Sequence, residues 1–255
     1  MKDKRPQLSP SKITTYLACP AKYYWSYVNP RGRWYMRSRK TFSFGTTLHR
    51  VLERFHDGKD TGVETTFQAV AAVEENWLDA GYDSADEMAE AMGEGKILIE
   101  AYAEEMLRLP PTSTTLAVEK ALRLSLADFD LVGRIDRLDE HQDGSLEIID
   151  YKTGRETVTE DDVASDLAMG CYQLLVRQAY PGKRVFASIL ALRSRQKASF
   201  GFSDKEAEEF RFSLNEIGRE IICRNWDEYE ARPKLLCEDC DFLRLCSKSP
   251  GFRDR

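Results

Sequence analysis

Two carboxylates and an ammonium brought to one point can hold a hard divalent cation against a phosphate. The stretch Leu146–Arg155, LEIIDYKTGR, supplies one such acid and the lysine. With a two-residue period, Leu146, Ile148, Asp150 and Lys152 share one face of a strand, and Glu147, Ile149 and Tyr151 share the other. An apolar strand face that ends in an acid and a lysine is costly unless both charges have partners or a use. Thr153-Gly154 stops the strand, so the charged pair sits at its exposed end. The second acid, Asp136, comes from the preceding stretch Phe129–Leu138 (FDLVGRIDRL), where it shares a face with Val132 and Arg134.

The elements that must position these groups follow from turn chemistry and periodicity. His141-Gln142-Asp143-Gly144 is a turn signal, so the two strands pair as a hairpin that brings Asp136 to Asp150 and Lys152. Leu116–Leu126 alternates through Leu116, Val118, Leu122, Leu124 and Leu126 and is expected as a strand leading into that hairpin. Glu119 points away from its apolar row and is either a third carboxylate for the site or a solvated residue. Gly45–Phe55 reads as a helix with Leu48, Val51, Leu52 and Phe55 on one stripe and His49 beside it. Val63–Ala80 and Asp86–Leu109 read as two more helices, closed by Pro110-Pro111. After the hairpin come a helix over Asp161–Tyr180, with Gln173 and Arg177 one turn apart, and a buried strand over Arg184–Leu192. A basic tract (Arg193, Arg195, Lys197) and a long amphipathic helix over Asp204–Tyr229 complete this part. Near the start, Ser9-Pro10-Ser11 opens a helix that Cys19-Pro20 interrupts, and Tyr23–Tyr27 continues an aromatic second one. Arg31–Lys40 (RGRWYMRSRK) has five basic residues, no acid and no clear period; it suits an arm that grips a nucleic-acid strand, or an ordinary solvated loop.

Three cysteines, Cys237, Cys240 and Cys246, close the chain in a C-x2-C-x5-C pattern that asks for a metal and lacks a fourth local ligand. Cys19, isolated at the end of the first helix, is the candidate for the fourth. Four thiolates hold either a structural zinc or a [4Fe–4S] cluster, and the spacing leaves the choice open. Cys171 and Cys223 fall in helices and read as small packing residues.

The 255 residues suit one large domain or a domain with an appendage, and a hydrophobic content of 42% is ordinary for a globular protein. No run of about 18 apolar residues occurs, which argues against a membrane span, and no secretory signal is visible, so a cytoplasmic setting is expected. A net charge of −6 excludes a surface coated in positive charge but leaves room for a local basic channel.

Taken together, the cysteine helix SPSKITTYLACPAKYYW, GTTLHRVLE, GRIDRLD, IIDYKTG, the following Gln and the cysteine tail resemble the PD-(D/E)XK nuclease superfamily, in its RecB-like branch with an iron–sulfur cluster. Similar members include recombination helicase–nuclease domains and CRISPR-associated exonucleases. The resemblance implies an α/β fold with a restriction-endonuclease-like core, a mixed central sheet flanked by helices, an N-terminal helical region and a cysteine-rich C-terminal tail. It further implies a single nuclease domain over 1–255, with a catalytic core at 115–229, a helical flank at 45–110 and an iron–sulfur subdomain built from 1–30 and 230–255. His49, Asp136 and Asp150 would be ligands of Mg²⁺ or Mn²⁺, with the Tyr151 carbonyl a further one. Lys152 would orient or activate the attacking water and stabilise phosphate charge. Gln173 would contact DNA; the family often carries a tyrosine four residues later, where this chain has Arg177. Cys19, Cys237, Cys240 and Cys246 would carry a [4Fe–4S] cluster. The activity implied is hydrolysis of DNA, as an exonuclease on single-stranded ends, in recombination repair or CRISPR spacer acquisition. A separate helicase or an integrase-type complex is the expected partner. The alternative expectation is a catalytically silent DNA-binding or assembly subunit of such a complex.

Overall fold

The computed structural model describes residues 5–57, 61–227 and 230–252. The chain divides into two compact units: Met1–Arg37 with Leu124–Val132 and Glu209–Arg255, and Ser38–Arg123 with Gly133–Glu208.

The first unit opens with a short strand β1 (Gln7–Leu8) and helices α1 (Pro10–Ala18) and α2 (Pro20–Tyr23). Ser9 caps α1 by accepting from Lys12 N, and Pro10 and Pro20 occupy first-turn positions where a missing N–H costs nothing. The aromatic segment Tyr24–Val28 is a π-helix, and part of the basic arm, Pro30–Trp34, is a 3₁₀ helix rather than a structureless loop. Gly32 makes that turn possible, because a Cβ there would lie 1.8 Å from the Trp25 carbonyl oxygen.

The second unit begins with α3 (Lys40–His56), α4 (Thr66–Glu75) and α5 (Ala85–Arg108). Helix α3 starts five residues before Gly45, which is an interior glycine: a Cβ there would lie 3.4 Å from Thr153 Oγ1. Thr65 and Gln68 form a capping box on α4, and Ser84 caps α5. The strands are β2 (Thr114–Ser125), β3 (Asp130–Glu140), β4 (Leu146–Lys152), β5 (Val185–Ala191) and β6 (Gln196–Phe200). β3 and β4 are antiparallel, with Leu138 opposite Ile148 and Arg137 opposite Ile149, and the hairpin turns at Gly144 with φ +78°. β4 and β5 are parallel, β5 and β6 antiparallel, and β2 pairs with β3, so the sheet is mixed. In the first unit β1 runs parallel to the first residues of β3, Asp130 and Leu131.

Periodicity of two sorts β4 between two cores. Leu146 and Ile148 pack with Val163, Met169 and Val176 from α6 (Glu160–Ser165) and α7 (Leu167–Ala179). Ile149 and Tyr151 pack with Leu48, Val51 and Leu52 of α3 and with Ile99 and Tyr102 of α5. Burying one such Leu or Ile side chain contributes roughly 1.5–3 kcal/mol.

Three expectations change. The helix over Asp161–Tyr180 is two helices, because Asp166 takes extended backbone and turns its carboxylate to Ala168 N and Met169 N as the cap of α7. The basic tract after β5 holds β6, where Ala198 and Phe200 face the core and Lys197 reaches the buried Glu147. Helix α8 (Asp204–Cys223) ends short of Tyr229, and the final residues of the expected helix, 228 and 229, lie outside the described residues.

Behind the β3–β4 pair the alternate face is polar and buried. Arg137 donates through Nε to Asp139 Oδ1 at 2.7 Å and through Nη2 to Oδ2, while Nη1 meets His56 Nε2 at 2.9 Å and Tyr102 Oη at 3.2 Å. Ser113 and Thr115 hydroxyls donate to the same carboxylate, each at 2.9 Å. Burial opposes the Asp139 charge, but the Arg137 bonds outweigh it and hold the carboxyl below its ordinary range. A depressed folded pKa stabilises above the unfolded value near ~4, and that contribution is lost as pH falls through the folded pKa. Arg137→Ala should therefore cost about 3–5 kcal/mol in urea unfolding. Its acid unfolding should begin at higher pH than the parent's, since only the Ser113 and Thr115 hydroxyls would then oppose burial at Asp139.

Candidate active site

The site stands at the end of the β3–β4 hairpin, on groups from four elements of the second unit. His49 comes from α3, Glu119 from β2, Asp136 from β3, and Asp150, Tyr151 and Lys152 from β4. Ligand atoms of His49, Glu119 and Asp136 all lie within 4.8 Å of one another, and among the described residues they are the one set of three or more such groups that close. His49 Nδ1 is 3.3 Å from Asp136 Oδ2, and His49 Nε2 is 2.9 Å from the Tyr151 carbonyl oxygen. Tyr151 N–H donates to Asp136 Oδ2 at 3.0 Å. Lys152 Nζ sits 2.6 Å from Asp150 Oδ2.

Local backbone irregularity places two of these side chains. The β3–β4 register ends at Arg137 and Ile149, and one residue further Asp136 takes the Tyr151 N–H with its side chain. Glu119 has φ +45°, a left-handed conformation that costs a non-glycine residue about 1–2 kcal/mol. The half-buried positions of β2 change phase there, from Thr115 and Ala117 before it to Lys120, Leu122 and Leu124 after it. The strand therefore does not alternate uniformly: Leu116 is exposed, and Ala117 and Leu122 pack on the core. This phase change delivers the Glu119 carboxylate to His49 and Asp136.

Charge and burial act together on His49, Glu119, Asp150 and Lys152. Burial disfavours a charged His49 ring, but its hydrogen bond to Asp136 and the charges of Asp136 and Asp150 raise it to about 9. Burial, then the Asp136 charge, push Asp150 above the ordinary carboxylate range against the pull of Lys152. Burial and the Asp136 charge raise Glu119 as well. Burial works against the Lys152 ammonium, and Asp150 more than offsets it, so its pKa is raised and the lysine is a fixed cation at neutral pH. Asp150 Oδ2 meets that ammonium without hydrogen-bond alignment and, buried, accepts no other bond among the described residues. An excess of carboxylate, one imidazole, a backbone carbonyl and an under-used buried oxygen make a donor set that fits a hard divalent cation.

Helix α7 departs from expectation. Gln173 is fully buried, its Oε1 accepting from Phe202 N at 2.8 Å, so its side chain does not stand at the surface where DNA would meet it. Arg177 donates to the Phe202 carbonyl and pairs with Asp204 at 2.8 Å, so both residues grip the chain between β6 and α8. The residue of α7 that feels the Asp150 and Asp136 charges is Tyr172, whose hydroxyl is pushed up chiefly by burial. No motif or charge pattern in the sequence marks Tyr172, which packs with Ala168, Met169 and Val176 against the core. Asp166, which adds to the field on Lys152, was legible only as a cap residue.

In the first unit Cys19, Ala21, Ala231, Phe242, Leu245 and Cys246 form one core cluster, with Cys240 packed against it. Burial, together with Cys240, Cys19 and Cys237, raises the Cys246 thiol to about 11 although Trp25 bonds to it. Lys234 N–H donates to Cys237 Sγ at 3.3 Å, and Lys234 Nζ donates to the Ala18 carbonyl at 2.7 Å. No three of these sulfurs lie within 4.8 Å of one another, whereas Zn–S bonds of ~2.3 Å require edges of ~3.8 Å. Cys171 is a buried packing residue, as expected, but Cys223 is exposed at the end of α8.

This chain belongs to the PD-(D/E)XK nuclease superfamily, whose sequence profile matches residues 7–247. Among solved structures it is similar to a candidate exonuclease from Eubacterium rectale, with 12% identity and a TM-score of 0.51 over 94% of this chain and 87% of that one. That likeness bears out an α/β fold with a mixed sheet flanked by helices. A second structure, SSO0001, aligns over 80% of this chain and 94% of its own at 12% identity, with a TM-score of 0.36. No curated protein matches the chain. Among the described residues no helix is long and apolar enough to cross a membrane.

The His49 ring offers a direct check on the site's electrostatics. In EDTA its imidazole resonances should titrate near pH 9, and Asp136→Asn should lower that midpoint by about one to three units as burial takes over. A midpoint unmoved by Asp136→Asn would show that the two side chains do not meet.

Proposed function

We propose that this nuclease is a Mg²⁺- or Mn²⁺-dependent deoxyribonuclease that hydrolyses phosphodiester bonds at single-stranded DNA ends. The observation that carries this reading is the convergence of His49, Glu119, Asp136, Asp150 and Lys152 at one end of the hairpin. The exonucleolytic mode draws support from the fold likeness to the Eubacterium rectale candidate exonuclease.

His49, Asp136, Asp150 and the Tyr151 carbonyl would hold the cation, with Glu119 as a further carboxylate. The cation would supply positive charge to the phosphoryl oxygens and acidify the attacking water. In hydrolysis water attacks phosphorus, the P–O bond to the leaving sugar breaks, and charge grows on the phosphoryl oxygens. Lys152, fixed as an ammonium by Asp150, suits the stabilisation of that charge better than proton abstraction. Glu119, which the resemblance leaves outside the ligand set, would take up the water's proton. In the first unit, Trp34 is 75% exposed with the Arg33 guanidinium 4.7 Å above its ring, a surface suited to stacking on a base.

Cys19, Cys237, Cys240 and Cys246 would hold a [4Fe–4S] cluster, a reading supported by the packing of Cys19, Cys240 and Cys246 in one cluster of the first unit. Its role would be structural, tying the chain's first and last helices within the first unit, since hydrolysis needs no electron transfer. The pathway reading, recombination repair or CRISPR spacer acquisition with a helicase or integrase-type partner, rests on resemblance alone.

With Mn²⁺, the parent protein should shorten end-labelled single-stranded DNA, Lys152→Ala should be slower by roughly 10²–10³, and Asp150→Ala should be inactive yet folded. Intact DNA with the parent protein, or equal rates for Lys152→Ala, would remove the proposal. Anaerobically purified protein should be brown with a broad visible band that Cys246→Ala abolishes; a colourless protein carrying one zinc would replace the cluster with a zinc site.

A further inference from the structure

A cavity of about 410 Å³ opens in the second unit beside the turn that follows Lys152, lined by Thr41, Phe44, Tyr82, Glu90, Thr153 and Gly154 among others. We propose that it receives the nucleobase of a nucleotide next to the scissile phosphate and favours bases whose exocyclic amino group donates to Glu90. This rests on the deoxyribonuclease reading above and adds a specificity pocket to it.

Position is the first support. Thr153 and Gly154 directly follow Lys152, so the cavity wall begins within about 7 Å of that residue's Cα. A nucleotide whose phosphate met Lys152 would have its own or its neighbour's base within reach. Charge is the second. Both cations in the lining are already engaged, Lys40 with Glu87 and Arg193 with Glu94. Glu90 has no ion-pair partner among the described residues, so the lining carries one negative charge in excess. Such a lining repels a phosphate and admits a neutral ring.

Chemistry is the third support. Phe44 and Tyr82 contribute aromatic surface, and Tyr82 is itself stacked on Trp77 with centroids 5.8 Å apart. A carboxylate accepts N–H bonds and offers none. Guanine, with N1–H and its amino group on one edge, fits Glu90 best; cytosine and adenine offer one amino group, and thymine offers none.

The wall is also built to hold its shape. Gly81 has φ +93°, and a Cβ on it would lie 2.6 Å from Lys40 N, so the Tyr82 loop packs directly on the start of α3. Ser43 Oγ donates to the Ala80 carbonyl at 2.6 Å, and Asp83 N–H donates to Glu87 at 2.7 Å.

The test uses the full-length protein on oligo(dT) substrates carrying a single dG, dC, dA or dT at each position flanking the cleaved bond. The parent should cleave at one register about tenfold faster with dG than with dT, and Glu90→Ala should bring that ratio to near one. With Ca²⁺ in place of Mn²⁺, 2-aminopurine at that register should be quenched on binding, and Glu90→Ala should weaken the quench. Cleavage with no base preference at any register, and no quench, would overturn the pocket while leaving the nuclease intact. Absence of both cleavage and DNA binding in the parent would overturn the pocket and the nuclease reading together.

Discussion

Asp136 and Asp150 approach each other in surroundings that exclude much of the water, and like charges so placed repel. Within the site the Tyr151 N–H bond to Asp136 and the Lys152 ammonium offset part of that repulsion. Further cohesion comes from behind. Arg137 follows Asp136 in the chain and Tyr151 follows Asp150, and the period of two sends both to the opposite face. There Tyr151 Oη lies 3.3 Å from Tyr102 Oη and 3.5 Å from Arg137 Nη1, inside the network that also holds Asp139 and His56. Asp136 and Asp150 are thus each backed by a buried polar neighbour that cannot shift without losing its own partners.

Tyr151 carries the coupling between the two faces. Its N–H bonds Asp136, its carbonyl meets His49, and its hydroxyl enters the rear network. One residue therefore ties the site's backbone donor and acceptor to a fixed hydroxyl. The burden on the network is neutrality: burial and the neighbouring guanidinium drive His56 down to about 3, so its ring stays uncharged beside Arg137. Arg137 and Asp139 then balance each other without a third charge.

Much of this was legible in the sequence where side-chain period alone decides position. The alternation in LEIIDYKTGR fixed which residues share the Asp150 face, and Gly144 marked the hairpin turn. Features set by distant contacts were not legible. Glu119 bends β2 with no glycine or asparagine to announce it, and Arg195 turns the chain into β6 at φ +60° in the same way. The strand β6 looked like a basic tract because Lys197 serves the buried Glu147, a partner 50 residues earlier. Gln173 was expected from resemblance to contact DNA, while its amide oxygen is used on the backbone of Phe202. The break at Asp166 could have been found, since an aspartate ahead of an apolar run is a capping signal.

The left-handed backbone at Glu119 has one more implication. In the middle of a strand a glycine would relieve that conformation, and no other residue of β2 is held this way among those described. Folding free energy thus works against the very conformation that sets the Glu119 carboxylate beside His49 and Asp136. A glycine there would leave a sounder strand and a poorer set of donors, so the strand gives up regularity to gather three ligand atoms at one point.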